Sequence, residues 1–157
     1  HRAYLNQIKR QMQEWGLASE FQYHGTLDRQ AEIRFLENLD VLSVPAIYGE
    51  QKGLPILEAM ASGVPVVQPR RGSFTEMLDK TSGGILTDPT QENSLEDGLY
   101  SIYRNENLAK KLGQNGRLGV KKYYSVSHMA RVALQVYSII RKGSASEFSS
   151  GISQTFS

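Results

Sequence analysis

The residues best suited to chemistry crowd into one stretch, Pro45 to Val67. It holds two carboxylates, Glu50 and Glu58, with seven residues between them, and also Gly53, Lys52 and Pro55. A proline in the first turn and Gly63 as a stop predict a short helix over Pro55–Ser62. The N-terminal end of such a helix carries unpaired N–H groups and a partial positive charge, which suits a phosphate. Gly53 has no side chain, so a diphosphate could approach the main chain there. Glu58 sits about one turn into the helix. Helical side chains lean toward the N-terminus, so its carboxylate leans toward the same mouth. A carboxylate repels a phosphate, and the fitting partner is a hydroxyl pair such as a ribose 2′,3′-diol. Glu50 lies on the preceding loop and could meet another hydroxylated group, such as a sugar. Lys52 could reach a phosphate or be an ordinary solvated lysine. Arg70, Arg71, His24 and Glu76 are further candidates, each with a plain surface reading beside it.

These residues need a frame, and the hydrophobic pattern supplies one. Leu5, Ile8, Met12 and Trp15 predict a helix that Gly16 stops. Phe21 and Tyr23 alternate with polar residues and predict a short strand ending at Gly25. Asp28 is an N-cap for a second helix bearing Ile33, Leu36 and Leu39. Val41–Val44 and Val64–Gln68 read as buried strands closed by Pro45 and Pro69, and Ile85–Thr87 as another. Phe74–Lys80 reads as a brief helix. Longer helices follow over Ser94–Tyr103, Asn107–Lys122 and Val126–Arg141. The first of these turns Leu95, Leu99, Ile102 and Tyr103 inward. Short strands alternating with helices predict an α/β fold, a Rossmann-like parallel sheet with helices on both faces. Ligands bind such sheets at loops leaving the carboxyl ends of strands, here after His24, Val44 and Val67.

Glu50 and Glu58 with their surround resemble the paired-glutamate motif of retaining glycosyltransferases of the GT-B fold, the group-1 family. The surround is Gly53-Leu54-Pro55, Glu58-Ala59-Met60-Ala61-Ser62-Gly63 and Pro65-Val66-Val67. Looser matches are Tyr23-His24-Gly25, Asp40-Val41, Gly72 with Glu76, and Gly84-Ile85-Leu86. The resemblance covers roughly Tyr4 to Arg141. It implies that Glu58 binds the donor ribose and that Glu50 contacts the transferred sugar as the catalytic residue. Backbone N–H groups at Gly53 and Leu54 would meet the diphosphate, with Lys52 beside them. The loop Gly25-Thr26-Leu27 would sit near the nucleobase. The implied reaction is sugar transfer from a nucleotide-sugar donor to an acceptor, glycan or lipid-linked, with retention and without a metal or other cofactor.

The resemblance also implies what the chain lacks. The family's diphosphate-neutralising Arg and Lys, its first two strands and its acceptor-binding domain would all fall upstream of His1. The chain is therefore expected to be the C-terminal half of a GT-B fold without its first strands, followed by C-terminal helices, and inactive alone. Of a sheet ordered 3-2-1-4-5-6, the strand at Phe21 would be an edge without its neighbour. Residues 1–142 would form this partial nucleotide-sugar-binding domain and 143–157 a flexible Ser-rich tail. Glu50 stands five residues after Pro45, where many members have four, and Gln51-Lys52 replaces the commoner Gly-Phe. The final helix carries an apolar stripe whose family partner lies across the domain junction.

Composition narrows the rest. The 157 residues are 39% hydrophobic and 22% charged, as in folded globular domains. With no cysteine there is no disulfide framework, thiolate metal site or cysteine nucleophile. A net charge of +2 is too small to argue for nucleic acid. No apolar run approaches a membrane span. A cytoplasmic location is expected, and the basic set Lys110, Lys111, Arg117, Lys121 and Lys122 leaves open a peripheral place at the membrane. The rival readings are a sugar epimerase or phosphorylase on the same fold, and a degenerate nucleotide-binding module. No GxGxxG opens a βα unit, which argues against a dehydrogenase.

Overall fold

The computed structural model describes residues 2–45 and 53–142. Glu50, Lys52 and the 143–157 tail lie outside the described residues. The chain divides into two compact units, His1–Glu32 and Ile33–Ser157.

The first unit holds α1 (Arg2–Glu14), the stretch up to Asp28, and the start of α2 (Arg29–Glu37). Leu5, Ile8 and Met12 are half-buried along one side of α1. Asp28 caps α2 as its sequence position predicts: the Ala31 N–H donates to Asp28 Oδ1 at 2.8 Å. The strand expected at Phe21–Tyr23 does not form; residues 21–25 take no strand conformation. A strand exists only through ladder bonds to a neighbour, and alternation alone cannot supply one.

In the second unit the chain order is α3 (Leu54–Ala61), β1 (Val66–Pro69), α4 (Ser73–Thr81) and β2 (Gly84–Thr87). The long helices α5 (Ser94–Arg104), α6 (Glu106–Tyr123) and α7 (Val126–Lys142) follow. β1 and β2 pair in parallel, Val66 opposite Gly84 and Pro69 opposite Thr87. Of the strand expected at Val41–Val44, one parallel bridge remains, Leu42 with Val66.

Strand alternation sorts the helices onto two faces. Val66 joins a buried cluster with Ile56, Met60, Phe74, Met77 and Leu78, so α3 and α4 cover its face. Val67, Ile85 and Thr87 face Gly98 of α5 on the other side. Each of Ile56, Met60 and Phe74 is at most 1% exposed, a burial that stabilises by about 1.5–3 kcal/mol per side chain. Helix α6 reaches this cluster through a line of glycines, Gly113, Gly116 and Gly119, all buried. They let its backbone lie against Gly63, Met60, Gly83 and Thr81.

One inward assignment changes. Tyr103 of α5 is 84% exposed and stacks on Tyr100 at 6.1 Å. The buried line of α5 runs through Gly98 and Ile102, about one turn apart, and Tyr103 lies off it. On α7, Val126, Met129, Tyr137 and Ile140 of the apolar stripe are exposed. Among the described residues no helix is long and apolar enough to cross a membrane.

Candidate functional site

Three segments meet the carboxyl end of the small sheet: the end of 41–45, the start of α3 after Gly53, and the start of α4 after β1. Gly53 takes φ 55° and ψ 24°, a left-handed conformation that favours glycine. A Cβ there would come within 2.7 Å of Met77 Sδ and 3.3 Å of Ser73 Oγ. The first turns of α3 and α4 are thus packed side by side, and the space beside the Gly53 Cα is filled by Met77. Glycine is favoured at this position by its left-handed backbone, whatever ligand approaches its amide.

The donor groups at the α3 start are few. Gly53 O accepts from Ile56 N–H at 3.0 Å and from Leu57 N–H at 3.2 Å. Pro55 has no N–H to offer. The Leu54 N–H has no acceptor among the described residues, and the Leu54 side chain is 57% exposed. Glu58 follows one turn later and is half-buried. Its neighbours Ile56, Ala59 and Met60 are buried and anchor the helix, which leaves the Glu58 side of α3 as its less covered side. The sequence's pairing of Gly53, Leu54 and Glu58 on one helix start therefore holds in the fold. Gly25 and Thr26 are exposed and Leu27 half-buried in the first unit, with Gly25 at φ 69°.

The secondary candidates separate. Glu76 stands in the first turn of α4 and pairs with Lys80 at 3.2 Å, an exposed one-turn ion pair. Arg70 and Arg71 part company. Arg70 lines a cavity of about 550 Å³ at the outer side of β2, with Asp79 and Lys111. Arg71 lines another of about 430 Å³ with Pro45, Thr87, Asp88 and Glu96. Asp88 there is held below the usual carboxylate range by the Thr90 N–H and hydroxyl, with Arg70 adding to the effect. The five basic residues of α6 are all exposed, and Lys110 pairs with Glu106 at 2.6 Å. Among the described residues no three His, Asp or Glu side chains gather as a metal site.

Two residues stand out that the sequence pattern did not single out. Gln68 is fully buried within the apolar run Val64–Val67 and its neighbours, and Val44 N–H donates to its Oε1 at 3.2 Å. Tyr124 packs against the core cluster with its hydroxyl enclosed and without a partner among the described residues. A polar residue closing an apolar strand was the available signal for Gln68; nothing local marked Tyr124.

Comparison with known proteins adds a family. The model of glycosyl transferases group 1 matches residues 2–119. A phosphatidyl-myo-inositol mannosyltransferase of Mycobacterium leprae is 29% identical over 128 residues, covering 82% of this chain and 34% of that protein. Among solved structures, a sucrose-phosphate synthase from Thermosynechococcus elongatus superposes with a TM-score of 0.76 at 27% identity. That match covers 90% of this chain and 35% of the other. The C-terminal domain of a group 1 family glycosyl transferase from Francisella tularensis has a TM-score of 0.68 at 26% identity, covering 79% of this chain and 64% of that one. The chain spans about a third of the mycobacterial relative's length.

Proposed function

Since this chain belongs to the group 1 glycosyl transferases, we propose that it is the donor-binding part of a retaining glycosyltransferase. The observation that carries the reading is the α3 start: a left-handed Gly53, a Leu54 N–H without an acceptor among the described residues and Glu58 one turn on, at the carboxyl end of a parallel sheet. A nucleotide-sugar fits this set of groups. Its diphosphate meets the positive end of α3. Its ribose hydroxyls donate to Glu58. Glu50 contacts the transferred sugar and Lys52 a phosphate oxygen.

The reaction moves a hexose from the diphosphate to an acceptor hydroxyl. The bond from the anomeric carbon to the diphosphate oxygen breaks, and the acceptor oxygen bonds to the same face of that carbon. The acceptor's proton passes to the departing diphosphate. A helix end and basic side chains offset the leaving charge, so the chemistry needs no metal. The names of the mycobacterial and Thermosynechococcus relatives, a mannosyltransferase and a sucrose-phosphate synthase, support hexosyl transfer. The acceptor is a glycan or a lipid-linked sugar held by an upstream domain, and the protein works in the cytoplasm, at most peripheral to the membrane. Residues 1–157 alone are inactive in this reading.

Thermal shift of a chain extended upstream, against UDP, GDP and ADP, tests it. One nucleotide raises the unfolding temperature, and Glu58→Ala abolishes that rise. A folded protein that responds to no nucleotide discards the donor site, and sugar transfer by residues 1–157 alone discards the claim of inactivity.

A further inference from the structure

Gln68 carries two N–H donors that no described residue accepts. Its side chain is fully buried, and Nε2 has no acceptor among the described residues. Which end of the amide is which is settled by Val44, whose N–H requires an oxygen and finds Oε1 at 3.2 Å.

A fault in the sheet puts the amide there. Leu42 N–H donates to Pro65 O, and Val67 N–H to Leu42 O, both at 3.0 Å. One step further, a parallel ladder would bring Val44 N–H to Val67 O and the N–H of residue 69 to Val44 O. Residue 69 is a proline and has no N–H. Val44 turns to the Gln68 side chain instead, so the two strands part and the carboxamide fills the parting. Val44 is 37% exposed and Pro45 is exposed. The amide therefore lies just beneath the surface at the carboxyl ends of the strands, where parallel α/β sheets bind their ligands. Gln68 alternates with Val67 and shares the face of Val66, the face covered by α3 and α4, whose first turns begin at this same end.

The oxygen end of the amide has a structural task, the Val44 N–H, but Nε2 is buried with no partner among the described residues, and a buried unpaired donor costs stability. Such a cost is kept most readily at a functional site.

We propose that Gln68 is a recognition residue for the nucleotide-sugar donor: Val44 holds Oε1, and Nε2 donates to a donor oxygen arriving at the ends of 41–44 and β1. The inference rests on the donor-binding reading above. The oxygen belongs either to the nucleoside diphosphate or to a hydroxyl of the sugar, and one titration series separates the two.

The test uses the full gene product that carries this chain. Calorimetry measures binding of UDP, GDP and ADP, and then of a hexose conjugate of whichever base binds, to the wild type and to Gln68→Met. Methionine keeps the volume and removes both hydrogen bonds. The expected result is a folded variant whose affinity falls by about tenfold to a hundredfold, the worth of a hydrogen bond to a charged or buried acceptor. A fall already seen with the nucleoside diphosphate assigns the oxygen to that part, and a fall confined to the conjugate assigns it to the sugar. Affinity within about twofold of wild type for every ligand overturns the proposal. Because a core substitution can cost folding, wild-type NMR gives a second reading: the Gln68 side-chain NH₂ signals shift and gain exchange protection at ligand saturation. Signals that stay unmoved overturn it. A wild-type protein that binds none of the nucleotides overturns the donor reading and this inference with it, whereas wild-type binding with an indifferent Gln68 overturns the inference alone.

Discussion

Substituting Gly119 by alanine pits two effects of known sign against each other. Alanine in a helix interior is favoured over glycine by about 1 kcal/mol. Against that, a Cβ on Gly119 would sit 2.6 Å from Thr81 Cα, 2.7 Å from its Cβ and 2.9 Å from its Cγ2. Ordinary contacts begin near 3.4 Å, so the overlap approaches 1 Å. Thr81 has little room to yield: it is 4% exposed and its hydroxyl donates to Met77 O at 2.7 Å. Overpacking of this kind costs about 1–3 kcal/mol, which leaves a net loss of up to about 2 kcal/mol. Gly116 gives the internal comparison. Its added Cβ would meet Met60 Cβ and Cγ at 3.1 Å and Gly83 Cα at 3.2 Å, a shortfall of a few tenths of an ångström. There the helix-propensity gain and the packing cost nearly cancel. Urea unfolding of the two variants beside wild type should place Gly119→Ala about 1–2 kcal/mol below Gly116→Ala. Equal midpoints, or a Gly119→Ala variant more stable than wild type, would refute the close approach of α6 to the end of α4.

Burial, with the Glu76 carboxylate adding to it, raises the Tyr124 phenol above its ordinary value of 10.0. The fold therefore favours the protonated form. Its contribution to stability is complete below pH 10 and is lost as pH rises through the raised value. Tyr124→Phe removes a hydroxyl with no partner among the described residues. Urea midpoints from neutral to alkaline pH should show the variant as stable as wild type at neutrality and less sensitive to alkali; parallel declines would contradict this. Asn105 Oδ1 accepts from Leu108 N–H at 3.0 Å at the start of α6, so Asn105→Ala should cost about 1 kcal/mol in the same assay. No change would remove the cap from the account of α6. Glu58→Ala should abolish the nucleotide-dependent rise in unfolding temperature; a rise that persists in the variant would take Glu58 out of the donor site.

The sequence alone determined what local chemistry determines. Periodicity and punctuation placed seven helices to within a residue or two: Gly16 ended α1, Asp28 capped α2, and Pro55 and Gly63 framed α3. The spacing of Gly53, Leu54 and Glu58 carried the reading of the site, because those residues sit within little more than one helical turn and need no distant partner to be placed. Strands were another matter. Phe21–Tyr23 alternates as a strand should, yet forms none, and Val41–Val44 shrinks to one bridge, because a strand is a relation between segments. Tertiary structure alone decided that Met77 fills the space beside Gly53, that three glycines of α6 receive neighbouring backbone, and that Tyr103 points outward. It alone turned Gln68 from the last polar residue of a strand into a buried amide whose donors have no partner among the described residues. Each of these depends on which groups from distant positions arrive at one place, and spacing along a chain holds no record of that.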